Sequence, residues 1–312
     1  MRADFALDYD VVSVARAQKL YLMARLEADE APEDRQRRPL NLSLVIDRSG
    51  SMAGTKIDYT RQAAQFLVQN LGVHDILSVV LYSDFVEILQ QPTPVRQKDH
   101  LIQKLSQIQA MGTTNLSGGW LEGCKLVAEN LDAQYLNRVI LMSDGRANRG
   151  VIDPTKLVNM VGQKYGEGIS TTTMGLGDDF NEDLMMAMAN AGGGAFYFIE
   201  SPEVTPLIFQ EELQGLLNVV GQNLTISIQA TAQVSAIHQL NAYPAEESGN
   251  HATYRLGDIF SDEVKTLILE LDIPAMQQLG EQQIATLRFE YDELLPDGSI
   301  HRVHELPVMV NV

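Results

Sequence analysis

Residues 41–54 read NLSLVIDRSGSMAG, an apolar and β-branched run that stops at an aspartate. A run of this kind suits a strand buried on both faces of a parallel sheet. Directly after it stand Asp47, Ser49 and Ser51, interleaved with Arg48 and Gly50. One carboxylate and two hydroxyls from a single turn can hold a hard cation, bind a phosphate or cap the following helix.

Outward from this stretch, apolar strands alternate with amphipathic helices. After NLSLVI come a helix over 55–71, the strands ILSVVLY and VEIL, and helices over 97–109 and 117–131. RVILMS, a helix over 154–165, ISTTTMGL, a helix over 181–191, AFYFI and a helix over 202–219 complete the series. Such alternation predicts an α/β, doubly wound and mostly parallel sheet of Rossmann-like type, with helices on both faces. After about residue 221 the helices stop, with Gly221 as the expected end of the last one. NLTISIQA, VSAIHQL, ATYRL, EVKTLILELDI, QIATLRFEYDEL and HRVHELPVMV read as six strands, with YPAEESGN and LPDGS as turns. Two N-terminal strands, in DFALDYDVVSV and KLYLMARLEA, have no local partner, and a lone hairpin is marginal in water. They are expected to join the C-terminal strands, so residues 1–35 and 221–312 form a discontinuous β-sandwich into which the α/β domain, 36–220, is inserted. DEAPEDRQRR reads as an exposed linker.

Composition excludes several functions. The 312 residues carry 41 acidic against 23 basic side chains, a formal net charge of −18. A general nucleic-acid binder needs a basic footprint, so no nucleic-acid partner is expected. The single cysteine, Cys124, permits neither an internal disulfide nor a thiolate cluster and reads as a small apolar helix residue. The N-terminus lacks the apolar core of a signal peptide, and no stretch is long and apolar enough to span a bilayer. A cytoplasmic location is the expectation.

Ligands of open α/β sheets sit outside the carboxyl ends of the strands. Asp47, Ser49 and Ser51 lie at such an end. MGTTNLSGG offers Thr113, Thr114 and Asn115 on the same edge, and MSDGRANRG offers Ser143 and Asp144. All are oxygen donors, a set that favours magnesium, calcium or manganese over zinc or copper. DRSGSM, GTTNLSGG and SDG, in this order on alternating strands and helices, resemble the von Willebrand factor A domain with its metal-ion-dependent adhesion site. GLGDDFNEDLMMAMANAGGGAFYFI resembles the last strand–helix–strand unit of that family. The split β-domain is similar in layout to bacterial relatives of the inter-alpha-trypsin inhibitor heavy chains. The resemblance implies a metal site of Asp47, Ser49, Ser51, Thr114 and Asp144, holding Mg2+ or alternatively Mn2+ or Ca2+. It also implies hydroxyls that ligate directly and carboxylates that often act through water. The expected function is metal-dependent protein binding without catalysis, in which an Asp or Glu of a partner protein completes the coordination.

Other readings are open. Ser51 or Thr55 could cap the following helix. A haloacid-dehalogenase-type phosphotransferase normally needs a second acidic residue where Ser49 stands, and GTKID lacks the glycine spacing of a Walker loop. An adaptor module for an AAA+ ATPase is an alternative function. A metal-dependent hydrolase is a second alternative, without an evident base near the three loops. Asp178 and Asp179 read as a solvated loop, with an auxiliary cation site as the alternative; Trp120 reads as helix packing, with a place at the rim of the binding face as the alternative; Met185, Met186 and Met188 read as pliable core. His301 and His304 fall on opposite faces of a strand.

Overall fold

The first two strands, β1 (Arg2–Leu7) and β2 (Gln18–Glu27), pair antiparallel with each other, Phe5 opposite Ala24. They then find their remaining partners far along the chain. In this computed structural model, residues 1–29, 38–132, 134–177, 180–201, 204, 207–209, 212, 218–241, 243–295 and 298–312 are described. Two compact units emerge: Gln36–Leu217, and Met1–Arg35 together with Asn218–Val312.

The central unit is an α/β fold. Its strands are β3 (Leu40–Asp47), β4 (Ile76–Tyr82), β5 (Val86–Pro94), β6 (Leu136–Ser143), β7 (Ser170–Leu176) and β8 (Gly193–Ile199). They form a six-stranded sheet in the order β5-β4-β3-β6-β7-β8, parallel except for the antiparallel edge strand β5. Every residue of β3, β6 and β7 is buried, so both faces of the sheet centre are covered. Among the described residues five helices connect the strands: α1 (Thr55–Asn70), α2 (Lys98–Ser106), α3 (Leu116–Ala128), α4 (Pro154–Gly166) and α5 (Glu182–Ala191). From β3 the chain proceeds to β4 on one side, and later to β6 on the other. The direction of winding therefore reverses beside β3, and in open α/β sheets ligands sit outside the carboxyl ends of the strands at such a point.

Burial at both ends of β3 is held by side chains. Asp75, fully buried in the turn before β4, accepts from the Leu40 N–H (2.9 Å) and the Gly72 N–H (2.6 Å). Across the sheet face Val45, Val80, Val139 and Leu141 pack with Trp120 and Cys124 of α3 and with Met185 and Met188 of α5. Trp120 donates its indole N–H to the Thr171 hydroxyl (3.1 Å), so it is a core residue and does not line a binding rim. Cys124 is buried and its thiol pKa is pushed up to about 12 by burial, as befits an unreactive packing residue.

The expected helix 202–219 lies largely outside the described residues, of which 207–209 and Glu212 are helical. Glu212 accepts from Arg138 of β6 (3.1 Å) and from the Thr172 hydroxyl of β7 (2.7 Å), in a fully buried group. Strand β9 (Val219–Ala230) begins earlier than anticipated, so Gly221 is a strand residue and not a helix stop.

Besides β9, the C-terminal segment forms β10 (Ala236–Gln239), β11 (Ala245–Ser248), β12 (His251–Phe260), β13 (Val264–Ile273), β14 (Glu281–Leu295) and β15 (Gly298–Asn311). That is seven strands among the described residues where six were anticipated: β11 falls in the stretch expected to be a turn, and pairs antiparallel with β12. β1 and β2 join β13 and β10 in a four-stranded sheet, and β11-β12-β9-β14-β15 form a five-stranded one. Leu22 and Leu26, Leu267 and Leu269, Ile226, Phe289 and Val308 share one core between them. No helix among the described residues is long and apolar enough to cross a membrane.

Helix α3 lies close on β3 because glycines face the sheet. A Cβ at Gly123 would meet Val45 Cγ2 at 2.4 Å, and one at Gly119 would meet the Tyr82 ring at 2.4 Å. Gly123→Val should therefore overpack this face and cost about 1–3 kcal/mol. Urea unfolding read by Trp120 fluorescence would show the midpoint fall; an unchanged midpoint would mean that α3 can back away freely.

Candidate metal centre

At the end of β3 the chain turns back over the Asp47 carboxylate. Asp47 Oδ1 accepts the Ser49 N–H (2.8 Å), and Gly50–Met52 form a single 3-10 turn. This turn brings Ser49 Oγ and Ser51 Oγ to 3.0 Å from each other, with Ser49 buried and Ser51 exposed. Neither hydroxyl caps α1. The residue before that helix is Gly54, at φ +78°, which has no side chain to accept from the first turn. The capping reading therefore does not hold for these serines.

The far side of Asp47 is equally engaged. Its Oδ2 accepts from the Ser143 hydroxyl (2.7 Å) and the Tyr82 hydroxyl (3.3 Å), while Ser143 Oγ accepts the Gly145 N–H (2.9 Å). Asp47 is fully buried, and burial pushes its pKa up to about 6. Hydrogen bonds from Ser49 and Ser143 oppose that rise, and the nearby Asp144 charge adds to it. With both oxygens held by the protein, Asp47 is suited to orient neighbours or to act through water.

The second loop is zipped to the first. Gly50 N–H donates to the Gly112 C=O (2.9 Å) and Met111 N–H to the Arg48 C=O (2.6 Å). Gly112 sits at φ +76°, and a Cβ there would lie 2.1 Å from Asp84 Oδ2, so only glycine fits. Of the three oxygen donors in MGTTNLSGG, two are diverted. Thr113 donates to Asp84 (2.5 Å), and Asn115 caps α3 by accepting the Gly118 N–H (3.1 Å). Thr114 remains, buried, with its backbone fixed by the third loop: its N–H donates to Asn148 Oδ1 (2.9 Å), and its C=O accepts from the Asn148 and Arg149 N–H groups (3.1 Å each).

That third loop follows β6. Asp144 is fully buried; its Oδ1 accepts the Arg146 N–H (3.2 Å), and its C=O accepts the Asn181 N–H (2.8 Å). Its Oδ2 has no hydrogen-bond partner among the described residues, and Lys56 Nζ lies 3.6 Å away. A buried carboxylate oxygen without a hydrogen bond is costly unless a cation compensates it. The donor set at this edge, three hydroxyls and two carboxylates, fits a hard divalent cation such as Mg2+, Mn2+ or Ca2+.

Tyr82, Lys56, Asp84 and Asn148 belong to this site without any local sequence signal. Basic side chains also gather here in an otherwise acidic protein: Arg48 pairs with Glu87 (2.8 Å) and Arg149 with Asp84 (3.2 Å), beside Lys56. Asp178 and Asp179 lie outside the described residues. Met185 and Met188 are core, whereas Met186 is exposed. On the β-sandwich unit His301 pairs with Asp292 (3.0 Å) and His304 with Tyr291 (3.1 Å). His238, Glu270 and Asp272 cluster on the same unit, where Glu270 already accepts from Lys19.

The chain matches the von Willebrand factor type A domain over residues 41–211, more than half of its length, and belongs to that family. Domains of this family mediate protein–protein contacts and typically bind a divalent metal. An uncharacterized protein of Synechocystis is 26% identical over 305 residues, covering 94% of this chain and 71% of that protein. Inter-alpha-trypsin inhibitor heavy chain H3 of Mesocricetus auratus is 26% identical over 278 residues, covering 83% of this chain. The match spans only 30% of the heavy chain's own length. The solved von Willebrand factor type A structure from Catenulispora acidiphila shares the fold, at 14% identity and a TM-score of 0.73 over 99% of this chain and 73% of its own.

The Asp47 carboxyl sets a pH dependence for the metal-free protein. Its folded pKa of about 6 exceeds the ordinary 3.8. Between these values the folded state holds a proton that the unfolded chain has released. Stability from this group is therefore greatest below about pH 4, falls as the pH rises toward 6, and stays lowered by about 3 kcal/mol above that. In chelator, Asp47→Asn should gain on the wild type across this window when urea midpoints are compared. A difference between the two that is independent of pH would contradict it.

Proposed function

We propose that this protein binds other proteins through a divalent metal held at the carboxyl ends of β3 and β6. Ser49, Ser51 and Thr114 would supply neutral hydroxyl ligands, and Asp47 and Asp144 the charge, directly or through water. The reading rests chiefly on Asp144 Oδ2, a buried carboxylate oxygen without a hydrogen bond, at the edge where the three hydroxyls stand. Hydroxyl ligands add no charge, so an ion held this way stays electrophilic and favours an outside carboxylate, an Asp or Glu of the partner. No catalytic step is assigned to the site.

The surroundings suit a docking face. Phe85, in the turn after β4, is 76% exposed, and Met111, beside Gly112, is 55% exposed. Exposed apolar side chains next to polar loops are a common feature of protein-binding surfaces. Membership of the von Willebrand factor type A family supports the same role. The heavy-chain relatives extend far beyond the matched segment, so their partners are not carried over to this chain.

Saturating Mg2+ or Mn2+ should raise the melting temperature, since a ligand at 100 times its dissociation constant stabilises the native state by about 2.7 kcal/mol. Thr114→Ala should remove most of that rise while leaving the far-ultraviolet circular dichroism unchanged. Immobilised wild-type protein should retain a partner from native lysate in Mg2+ and release it in chelator, and Thr114→Ala should retain none. An equal thermal rise in both forms would reduce the effect to screening of the acidic surface and contradict the site.

A further inference from the structure

Strand β15 ends the five-stranded sheet, and its outer edge is closed along one part and open along the other. Asn311 turns its backbone away from β14: its N–H donates to the Asp10 C=O (2.7 Å), and its C=O accepts the Val12 N–H (2.8 Å). Backbone groups alternate in direction along a strand. The only register shift against β14 skips a residue of β14, so the odd-numbered residues of β15 face outward from Asn311 back to Ser299. Pro307 falls in this phase, where its missing N–H costs the sheet no bond. The Asp10–Val12 segment and the proline therefore close that end of the edge. Ser299–Glu305 differs. It carries none of the prolines, lysines or bulges that commonly blunt an edge. Among the described residues no strand pairs with its outer side. Every residue in it but His304 is exposed, Ile300 and Val303 at 42% each.

We propose that Ser299–Glu305 is a dimer edge, to which a second copy of the chain adds its own Ser299–Glu305 antiparallel, with Val303 on the twofold axis. In such a pairing outward-facing residues meet outward-facing residues. Centred on Val303, it sets His301 opposite Glu305 of the other copy, and the symmetry repeats the pair. Both side chains lie on the outer face, where His301 already meets Asp292 and Glu305 meets Arg288, so the charges extend an existing alternation. On the inner face the exposed Ile300 comes opposite Leu306 of the other copy, an apolar cross-strand pair. Pro307 falls opposite Ser299 at the end of the pairing, where water can replace its missing N–H. The neighbouring registers are worse. One sets Arg302 against Arg302 of the other copy, a like-charge pair. The other sets Pro307 opposite His301 and leaves the His301 C=O without a donor. Self-complementarity in a single register favours a second copy over an unrelated strand. The two five-stranded sheets then become continuous. Such a dimer carries two candidate metal centres, so attachment to a surface with repeated acidic ligands becomes bivalent.

Sedimentation equilibrium of the full chain over a concentration series, in chelator and in Mg2+, tests this apart from the metal site. Wild type should show the same monomer–dimer equilibrium in both buffers. Val303→Pro removes the outward N–H on the axis, as Pro307 does at its own position, and should be monomeric with unchanged circular dichroism. Val303→Thr should dimerise as wild type does. Oxidised Val303→Cys should run as a disulfide-linked dimer on a non-reducing gel, because two copies of the residue meet on the axis. Val264→Cys, on β13 and 51% exposed, should stay monomeric under the same oxidation, and the native Cys124 is buried. If Val303→Pro folds poorly, the cross-link decides. A wild type that is monomeric at every concentration would overturn the inference. So would a dimer that survives in folded Val303→Pro, or cross-linking of Val303→Cys no greater than that of Val264→Cys. Each of these results leaves the metal-site reading standing.

Discussion

The buried carboxylate of Asp47 organises the entire edge of the sheet. It ends β3 at the point where the winding reverses, and it is satisfied by groups from three separate segments: the Ser49 N–H after β3, Tyr82 OH at the end of β4, and Ser143 Oγ at the end of β6. Burial raises its pKa, so holding the charge here costs stability in the absence of a cation. That cost has a structural consequence. The turn drawn over Asp47 places Ser49 and Ser51 side by side, and the Gly50 to Gly112 hydrogen bond brings the Thr114 loop against them. Asn148 then ties Thr114 to the loop that carries Asp144.

The α/β unit was legible because its strands are uniform: Leu40–Asp47 and Leu136–Ser143 are buried throughout, and such runs mark a covered parallel sheet without any knowledge of partners. The location of the candidate site followed from the same pattern, since Asp47 and Asp144 stand where apolar runs end. β11 was not legible. AEES is fully exposed, lacks apolar alternation, and is held as a strand by its backbone pairing with β12. The start of β9 at Val219 was equally hidden, because LNVVGQN continues the apolar spacing of a helix and the choice is made by partners β12 and β14.

Within the site, sequence spacing distinguishes loops but not which oxygen in a loop stays available. Thr113, Thr114 and Asn115 are alike as donors; Asp84 and the first turn of α3 take two of them. Asp84 and Tyr82 come from the β4 end, 29 residues from Thr113 and 35 from Asp47 respectively, and Lys56 reads locally as an ordinary helix residue. Its approach to Asp144 depends on the missing side chain at Gly177, a contact that only the fold creates. The charge pattern has the same character. A net charge of −18 suggests a uniformly acidic surface, yet the candidate metal edge is bordered by Arg48, Lys56 and Arg149.

The central claim is that one hard cation is held where β3 and β6 end. Anomalous scattering from a crystal soaked in Mn2+ tests it most directly, since the position of the ion is read without assumptions about its ligands. A single strong peak within coordination distance of the Ser49, Ser51 and Thr114 hydroxyl oxygens, about 2.0–2.6 Å, is the predicted result. A peak confined to other acidic groups, such as His238, Glu270 and Asp272, with none at the end of β3, would contradict the account.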